Sequence, residues 1–124
     1  APRASALTTV ASSSLALADM RRFAASVGRA VARGREAYLH DEAVQALVHH
    51  NLVLLGEAAN RVRRELQTTM PEVPWARIVA LRNRLLHQYD RIDTDVVWEI
   101  ATKDVAALHA LLDRLLDEPD AAPP

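Results

Sequence analysis

Residues 82–89, in the order RNRLLHQY, carry the side chains of this sequence that are best suited to chemistry. Arg82 offers a planar, charged fork that matches a phosphate group. His87 can accept or donate a proton near neutral pH. RNA supplies its own nucleophile, the 2′-hydroxyl, so cleavage of its backbone needs no activated serine or cysteine. These groups therefore suffice for metal-free cleavage of a phosphodiester.

The spacing of these residues bears on how many chains the site requires. On a helix, Asn83 and His87 are four residues apart and share one face. Arg82 lies five residues before His87, about 140° around the helix and about 7.5 Å along its axis. The two groups do not converge within one chain, and we expect two copies related by a two-fold axis to bring both pairs to one cleft. An arginine and a histidine at this spacing also occur on many solvated helices, so the pair alone does not establish a catalytic site.

The composition is that of a single helical domain. At 124 residues the chain can form one core but not two. Half of the residues are apolar but only 4% are aromatic, and the six prolines lie near the ends or within residues 71–74. Long stretches are therefore free of helix breakers. Cysteine is absent, which excludes disulfides and thiol chemistry.

Hydropathy and charge favour a soluble protein. No apolar run reaches the roughly eighteen residues that a bilayer span needs. Residues 7–18 are interrupted by threonines and serines and lack a signal-peptide core. We therefore expect a cytoplasmic protein with no membrane association. The net charge is −1, yet the first 91 residues are rich in arginine and the remainder is acidic. This asymmetry fits a phosphate-facing surface, but an arginine-favouring genome explains it more simply.

Four segments repeat apolar residues at three- and four-residue steps, which predicts four helices. They run from Leu15 to Arg33, Asp41 to about Glu65, Pro74 to about Gln88, and Asp93 to just before Pro119. Gly34 is placed to end the first helix, and Asp41 and Asp93 are placed to cap the second and the fourth. Gly56 lies inside the second helix, where glycine costs about 1 kcal/mol relative to alanine. This position indicates the close approach of a neighbouring helix.

Four such helices with short connectors predict an all-α, up-down four-helix bundle. Residues 1–14 are expected to form a flexible arm, residues 15–118 the bundle domain, and residues 119–124 a disordered tail. Trp75 and Trp98 fall near helix starts and are expected to be packing residues, although an exposed indole can also stack on a base.

The sequence around residues 82–89 adds further motifs. They are Gly56-Glu57-Ala58, the run from Met70 to Trp75, Ile92-Asp93 and Val96-Val97-Trp98. In combination the chain resembles the HEPN superfamily, and within it the HepT-like toxins that are encoded beside a minimal nucleotidyltransferase antitoxin. The resemblance runs from about residue 15 to residue 116 and implies the same helical fold. The family's Arg-polar-x-x-x-His signature falls on Arg82, Asn83 and His87, and its tyrosine two residues later falls on Tyr89.

The resemblance and the side-chain chemistry together suggest roles. His87 is expected to act as general base on the 2′-hydroxyl, as general acid on the leaving 5′-oxygen, or as both through its two symmetry copies. Arg82 binds the scissile phosphate and stabilises its extra charge in the transition state. Asn83 orients His87 or holds a phosphate oxygen, and Arg84 either binds backbone phosphates or is simply solvated. The expected products are a 2′,3′-cyclic phosphate, or its opened form, and a 5′-hydroxyl, with no metal and no cofactor.

Tyr89 matches the tyrosine that the nucleotidyltransferase antitoxin of such families modifies with AMP. Nucleotide phosphates added beside Arg82 and His87 would occupy the anion site and obstruct RNA. The alternative is a core or boundary aromatic residue. Glu57 likewise leaves two interpretations open: a boundary carboxylate, which is the simpler, or a partner of an arginine in the cleft. His49 and His50 point about 100° apart on a helix and are expected to be boundary or polar-face residues.

The sequence thus predicts a metal-independent endoribonuclease, the toxin of a toxin–antitoxin pair. It is expected to act as a homodimer on RNA, with tRNA as one candidate, and to be neutralised by a nucleotidyltransferase antitoxin that AMPylates Tyr89. The alternative is a non-catalytic HEPN dimerisation module that binds a nucleotidyltransferase partner or a nucleotide.

Overall fold

The computed structural model describes the backbone of residues 2–117, and the side chains of residues 12–117 apart from Tyr89. No strand occurs within residues 2–117, so the all-α prediction is confirmed. The α-helices are α1 (Pro2–Val31), α2 (Arg35–His40), α3 (Glu42–Asn60), α4 (Arg64–Gln67), α5 (Trp75–His87), α6 (Thr94–Glu99) and α7 (Val105–Asp117). A 3₁₀ turn spans Tyr89–Arg91, and a π-helical segment, Ile100–Asp104, joins α6 to α7.

The bundle consists of α1, α3, α5 and the continuous helix formed by α6, the π-helical segment and α7. α3 packs against α1 and α5, and α7 packs against α1. The Ser13 hydroxyl accepts the backbone N–H of Arg63 at 3.2 Å, which places the N-terminal half of α1 beside the end of α3. Arg21 of α1 pairs with Asp117 at the end of α7. Neighbouring helices therefore run in opposite directions, as the predicted up-down arrangement requires.

The structure corrects several predicted boundaries. The first helix begins at Pro2 instead of Leu15. The division into an arm, residues 1–14, and a bundle domain, residues 15–118, stays a prediction. The second long helix ends at Asn60 instead of about Glu65. Both corrections involve one contact, because Ser13 is buried and its hydroxyl takes a backbone N–H just beyond the end of α3. α2 and α4 are short helices that the sequence did not predict. The expected tail, residues 119–124, lies outside the described residues.

The predicted caps are confirmed. The Asp41 carboxylate accepts the N–H of Ala43 at 2.9 Å and begins α3. The Asp93 carboxylate accepts the N–H of Asp95 at 2.9 Å and that of Val96 at 3.3 Å, and begins α6. Each such cap contributes about 1 kcal/mol to helix stability. The first helix ends at Val31 instead of Arg33, so Gly34 lies three residues beyond it and is the N-cap residue of α2. Gly34 has a φ of 101°, a left-handed conformation that side chains disfavour.

α5 is the most peripheral of the long helices. Leu85 is its one fully buried residue, whereas α3 buries eight. α5 packs closely against α3 but leaves a groove of about 350 Å³ towards α7, with Leu52, Ile78, Leu81, Leu108 and Leu111 among its lining residues. Asn83, Arg84, Leu86 and His87 of α5 are exposed at the edge of the bundle, whereas Arg82 lies on the side that faces α3. Within residues 2–117, no helix combines the length and the hydropathy of a bilayer span.

Candidate functional site

Local interactions fix both ends of α5. At its start, the Trp75 indole N–H donates to the Met70 carbonyl at 3.1 Å, and Pro74 occupies the N-cap position, one residue before the position predicted for it. At its end, the N–H of Gln88 donates to the Arg84 carbonyl at 2.8 Å. Gln88 itself leaves the helical conformation, with a φ of −135°. His87 is therefore the last helical residue, and the chain turns away directly after it.

Arg82 is held by α3 through its carbon stem. A Cβ atom built on Gly56 would lie 2.8 Å from Cγ of Arg82 and closer still to its Cβ. The same atom would lie 3.3 Å from the Ile78 carbonyl oxygen. Only the absence of a side chain at Gly56 lets the two helices approach this closely. The close approach predicted from the position of this glycine is confirmed, and the helix that approaches is the one that carries the candidate site.

The Arg82 guanidinium is anchored on two sides. Nη1 donates a hydrogen bond to the Asn83 side-chain oxygen at 2.8 Å, and Nη2 lies 3.6 Å from a Glu57 carboxylate oxygen. Nε is buried and has no hydrogen-bond partner among the described residues. The side chain keeps 27% of its surface exposed. A guanidinium has five N–H donors, so this arrangement fixes the group in place while leaving donors free for an anion.

Glu57, for which the sequence left two interpretations open, pairs with Arg82 across the α3–α5 contact. Its side chain is 45% exposed, so water screens the pair, and ion pairs of this kind typically contribute between about 0 and 1 kcal/mol. The pair matters more for position than for stability, because it holds one side of the guanidinium towards α3.

His87 and Arg84 are both exposed. Neither side chain has a hydrogen bond or an ion pair with another described residue. Asn83 accepts a hydrogen bond from Arg82 and has none with His87 among the described residues, so its geometry in one chain supports positioning of the arginine. No hydrogen bond joins Arg82 to His87 within the described residues. One chain thus assembles Arg82, Asn83 and Glu57 as a unit and leaves the imidazole of His87 open to solvent at the helix end.

Tyr89 begins the 3₁₀ turn two residues beyond His87. Its side chain lies outside the described part of the structure, so its two proposed roles stay predictions. No group of three or more histidine, aspartate or glutamate residues within the described chain has the arrangement of a metal site. The chemistry that the described groups can provide is phosphate binding by a guanidinium and proton transfer by an imidazole.

A buried tyrosine–histidine pair was not predicted. The Tyr38 hydroxyl lies 2.9 Å from Nε2 of His49, and the Tyr38 ring packs against Trp98 at 5.4 Å between ring centroids. Burial, with smaller contributions from Asp95 and Asp93, raises the pKa of Tyr38 to about 12. Burial also lowers the pKa of His49. The pair links α2, α3 and α6 and confirms that Trp98 is a packing residue. Tyr38, His49 and Trp98 lie on three separate helices, so no local sequence pattern could have predicted that they meet.

Comparison with known proteins identifies the family. The ribonuclease HepT-like family matches residues 16–115, which is most of the chain. The chain belongs to the ribonuclease HepT-like family. The resemblance found in the sequence is therefore confirmed.

Three relatives show the range of similarity. A probable ribonuclease HepT of Thermococcus cleftensis is 29% identical over 80 residues, which cover 64% of this chain and 73% of the relative. A putative RNase of Methanocaldococcus jannaschii is 32% identical over 68 residues, which cover 55% of this chain and 62% of the relative. A putative RNase of Caldanaerobacter subterraneus subsp. tengcongensis is 24% identical over 83 residues, with coverage of 67% and 74%. No solved structure matches the chain significantly.

Proposed function

We propose that this HepT-like protein is a metal-independent endoribonuclease that acts as a homodimer on cytoplasmic RNA. The observation that carries the proposal is the fixed Arg82 guanidinium on the same exposed helix as the open imidazole of His87. Membership of a family whose relatives are described as ribonucleases supports RNA as the substrate. tRNA is one candidate among RNAs.

The reaction needs one proton acceptor, one proton donor and one site for negative charge. His87 accepts the proton of the 2′-hydroxyl, whose oxygen then bonds to phosphorus while the bond from phosphorus to the 5′-oxygen breaks. A protonated imidazole donates a proton to the departing 5′-oxygen. Arg82 binds the non-bridging oxygens and stabilises the charge that builds on them. The products are a 2′,3′-cyclic phosphate and a 5′-hydroxyl, and no oxidant or reductant is consumed.

A homodimer supplies the second imidazole. In a helical frame Arg82 and His87 are about 140° apart, and no described contact joins them. α5 lies at the bundle edge, and Leu86, between these residues, is 42% exposed. A two-fold pairing of α5 with its copy would bring both arginines and both histidines to one cleft. One histidine would then act as base while the other acts as acid.

We also propose that the protein is the toxin of a toxin–antitoxin pair and that a nucleotidyltransferase antitoxin AMPylates Tyr89. The position of Tyr89 in the turn directly after α5 supports this, because phosphates attached there would compete with RNA for Arg82. Intact-mass measurement after co-expression with the nucleotidyltransferase should show additions in steps of one AMP. An unmodified mass, or the same additions in Tyr89→Phe, would refute this assignment.

The ribonuclease proposal is tested by cleavage of RNA in the presence of EDTA. We expect His87→Ala and Arg82→Ala each to lower the rate by at least roughly a hundredfold, the lower range for loss of acid–base catalysis or of one transition-state donor. His109→Ala is the matched control, because His109 lies on α7 and contacts Asp113 there. Equal rates in all variants, or cleavage that EDTA abolishes, would overturn the metal-independent mechanism at Arg82 and His87. No cleavage by the wild type, with or without EDTA, would favour the non-catalytic dimerisation module.

A further inference from the structure

A second basic surface lies beside the candidate site, between the end of α5 and the start of α6. It is a hollow of about 60 Å³ whose exposed lining residues include Arg84, Gln88 and Arg91. Leu85 and Val97 line it as buried residues and so form its floor. We call it the Arg84–Arg91 hollow. A hollow of this volume has room for a small polar group.

The charge of this hollow is not balanced. Arg35, Arg61 and Arg77, elsewhere on the surface, each pair with an aspartate. Arg84 and Arg91 have no ion pair or side-chain hydrogen bond within the described residues. The same holds for Arg33, Arg64 and Arg114, but Arg84 and Arg91 line one hollow together.

One carboxylate, that of Asp93, lines the hollow. One of its oxygens already accepts the two N–H groups that begin α6. Two arginines and one carboxylate, of which one oxygen is already engaged, therefore line the hollow, and the excess of positive charge favours an anion.

The hollow also has a defined position relative to the candidate site. Around α5, His87 lies about 140° from Arg82 and Arg84 lies about 200° from it in the same direction. The apolar face, with Leu81 and Leu85, completes the turn. His87 therefore lies between Arg82 on one side and the Arg84–Arg91 hollow on the other. A chain of phosphates that crosses the exposed face of α5 would meet Arg82, His87 and the hollow in that order.

We propose that the Arg84–Arg91 hollow is a subsite for the backbone phosphate adjacent to the scissile linkage of a single-stranded RNA. The inference rests on the proposed function, because it takes RNA as the ligand and His87 as the position of cleavage. Arg84 and Arg91 hold that neighbouring phosphate, and Gln88 can donate to one of its oxygens. The subsite reads the charge of the backbone and not the identity of a base.

Direct binding tests the subsite without requiring activity. The His87→Ala protein is titrated onto a short fluorescein-labelled single-stranded oligoribonucleotide, and the affinity is measured by anisotropy over a series of salt concentrations. Loss of one phosphate contact on single-stranded nucleic acid lowers the slope of log affinity against log salt by about 0.7. If the variant and the starting protein bind equally at about 1 M salt, the variant therefore binds roughly fivefold more weakly at about 0.1 M salt. We expect this change in Arg84→Gln and in Arg91→Gln, each made in the His87→Ala background.

Arg114→Gln is the matched control. Arg114 is an exposed arginine on α7 near the opposite end of the bundle, so its loss should leave the salt slope unchanged. A second measurement compares cleavage of a long oligoribonucleotide with that of a dinucleotide, which contains only the scissile phosphate. For this measurement Arg84→Gln and Arg91→Gln are made with His87 intact, and the preference for the long substrate should fall roughly fivefold in each.

The outcomes separate this inference from the proposed function. Binding of RNA that depends on Arg84 and Arg91, without any cleavage by the wild-type protein, would overturn the ribonuclease proposal and retain the subsite. Cleavage by the wild-type protein, with unaltered binding in the Arg84→Gln and Arg91→Gln variants, would overturn the subsite and retain the ribonuclease proposal. Equally weakened binding in Arg114→Gln would show that the effect comes from the net charge of the protein, and it would also overturn the subsite. Absence of RNA binding by the His87→Ala protein would overturn the subsite as well.

Discussion

The substitution Gly56→Ala tests whether the contact between α3 and α5 positions the site. The new Cβ would lie 2.8 Å from Cγ of Arg82 and nearer still to Cβ of Arg82. A change of rotamer moves the Cγ of Arg82 but cannot move its Cβ. The backbone of α5 must therefore shift away from α3, and the guanidinium must shift with it relative to Glu57.

Two opposing effects set the size of the change in stability. Overpacking of a close contact typically costs about 1–3 kcal/mol, while replacement of glycine by alanine inside a helix recovers about 0.5–1 kcal/mol. We expect a net loss of about 1–2 kcal/mol in the free energy of unfolding. For a chain of this size that corresponds to a fall in Tm of roughly 4–8 °C. A misplacement of about 1 Å at a catalytic group can lower the rate roughly a hundredfold, so RNA cleavage should fall far more than the folded fraction.

The assay combines thermal unfolding with RNA cleavage at a temperature where the variant stays folded. Gly28→Ala is the matched control, since a Cβ on Gly28 in α1 would meet no atom within 4 Å. It should raise the free energy of unfolding by about 0.5–1 kcal/mol and leave cleavage intact. Arg82→Gly removes both Arg82 atoms that the new Cβ meets, so Gly56→Ala should cost clearly less in that background. A Gly56→Ala protein with the stability and cleavage rate of the wild type would refute the reasoning.

Three further predictions follow from the contacts of Arg82 and of the Tyr38–His49 pair. Glu57→Gln should change the free energy of unfolding by less than about 1 kcal/mol, because the ion pair is half-exposed. It should also tighten RNA binding by anisotropy, because Arg82 loses its neutralising carboxylate; weaker binding would contradict this. Tyr38→Phe should lower the free energy of unfolding in urea by about 1 kcal/mol, since it removes the hydrogen bond to His49; an unchanged midpoint would count against the bond. The pKa of His49 is lowered in the folded state, so the unfolded state binds more protons below pH about 6.5. The free energy of unfolding should therefore fall as the pH drops through that value towards the folded-state pKa of His49, and His49→Gln should flatten this part of the profile.

The location of the site on a peripheral helix has a mechanical consequence. α5 buries Leu85 fully and contacts α3 along one side, while an apolar groove separates it from α7. A substitution on the exposed face of α5 therefore removes little packing, and its effect on RNA cleavage can be separated from its effect on stability. Arg82 is the exception, because its stem packs on Gly56 and its Nε is buried. For Arg82→Ala, activity and stability should thus be measured together.

The sequence by itself determined the features that depend on local chemistry. The apolar periodicity predicted the helices of the bundle, and Asp41 and Asp93 marked two helix starts because a capping carboxylate needs only the N–H groups two or three residues ahead. The short motif of Arg82, Asn83 and His87 indicated the candidate residues, and the motif together with those around it indicated the family. Even the unusual glycine at position 56 indicated that a helix must approach there, because its helical cost required compensation.

The tertiary structure decided which distant residues meet. Nothing in the local sequence shows that the stem of Arg82 lies on Gly56, that Glu57 flanks its guanidinium, or that Tyr38 meets His49. The hydrogen bond from the N–H of Arg63 to the Ser13 hydroxyl likewise joins residues fifty positions apart. Periodicity states which face of a helix is apolar, but not which helix covers it or at what register. Those choices are made when the helices pack, because side-chain shapes from separate segments must then fill one common interior.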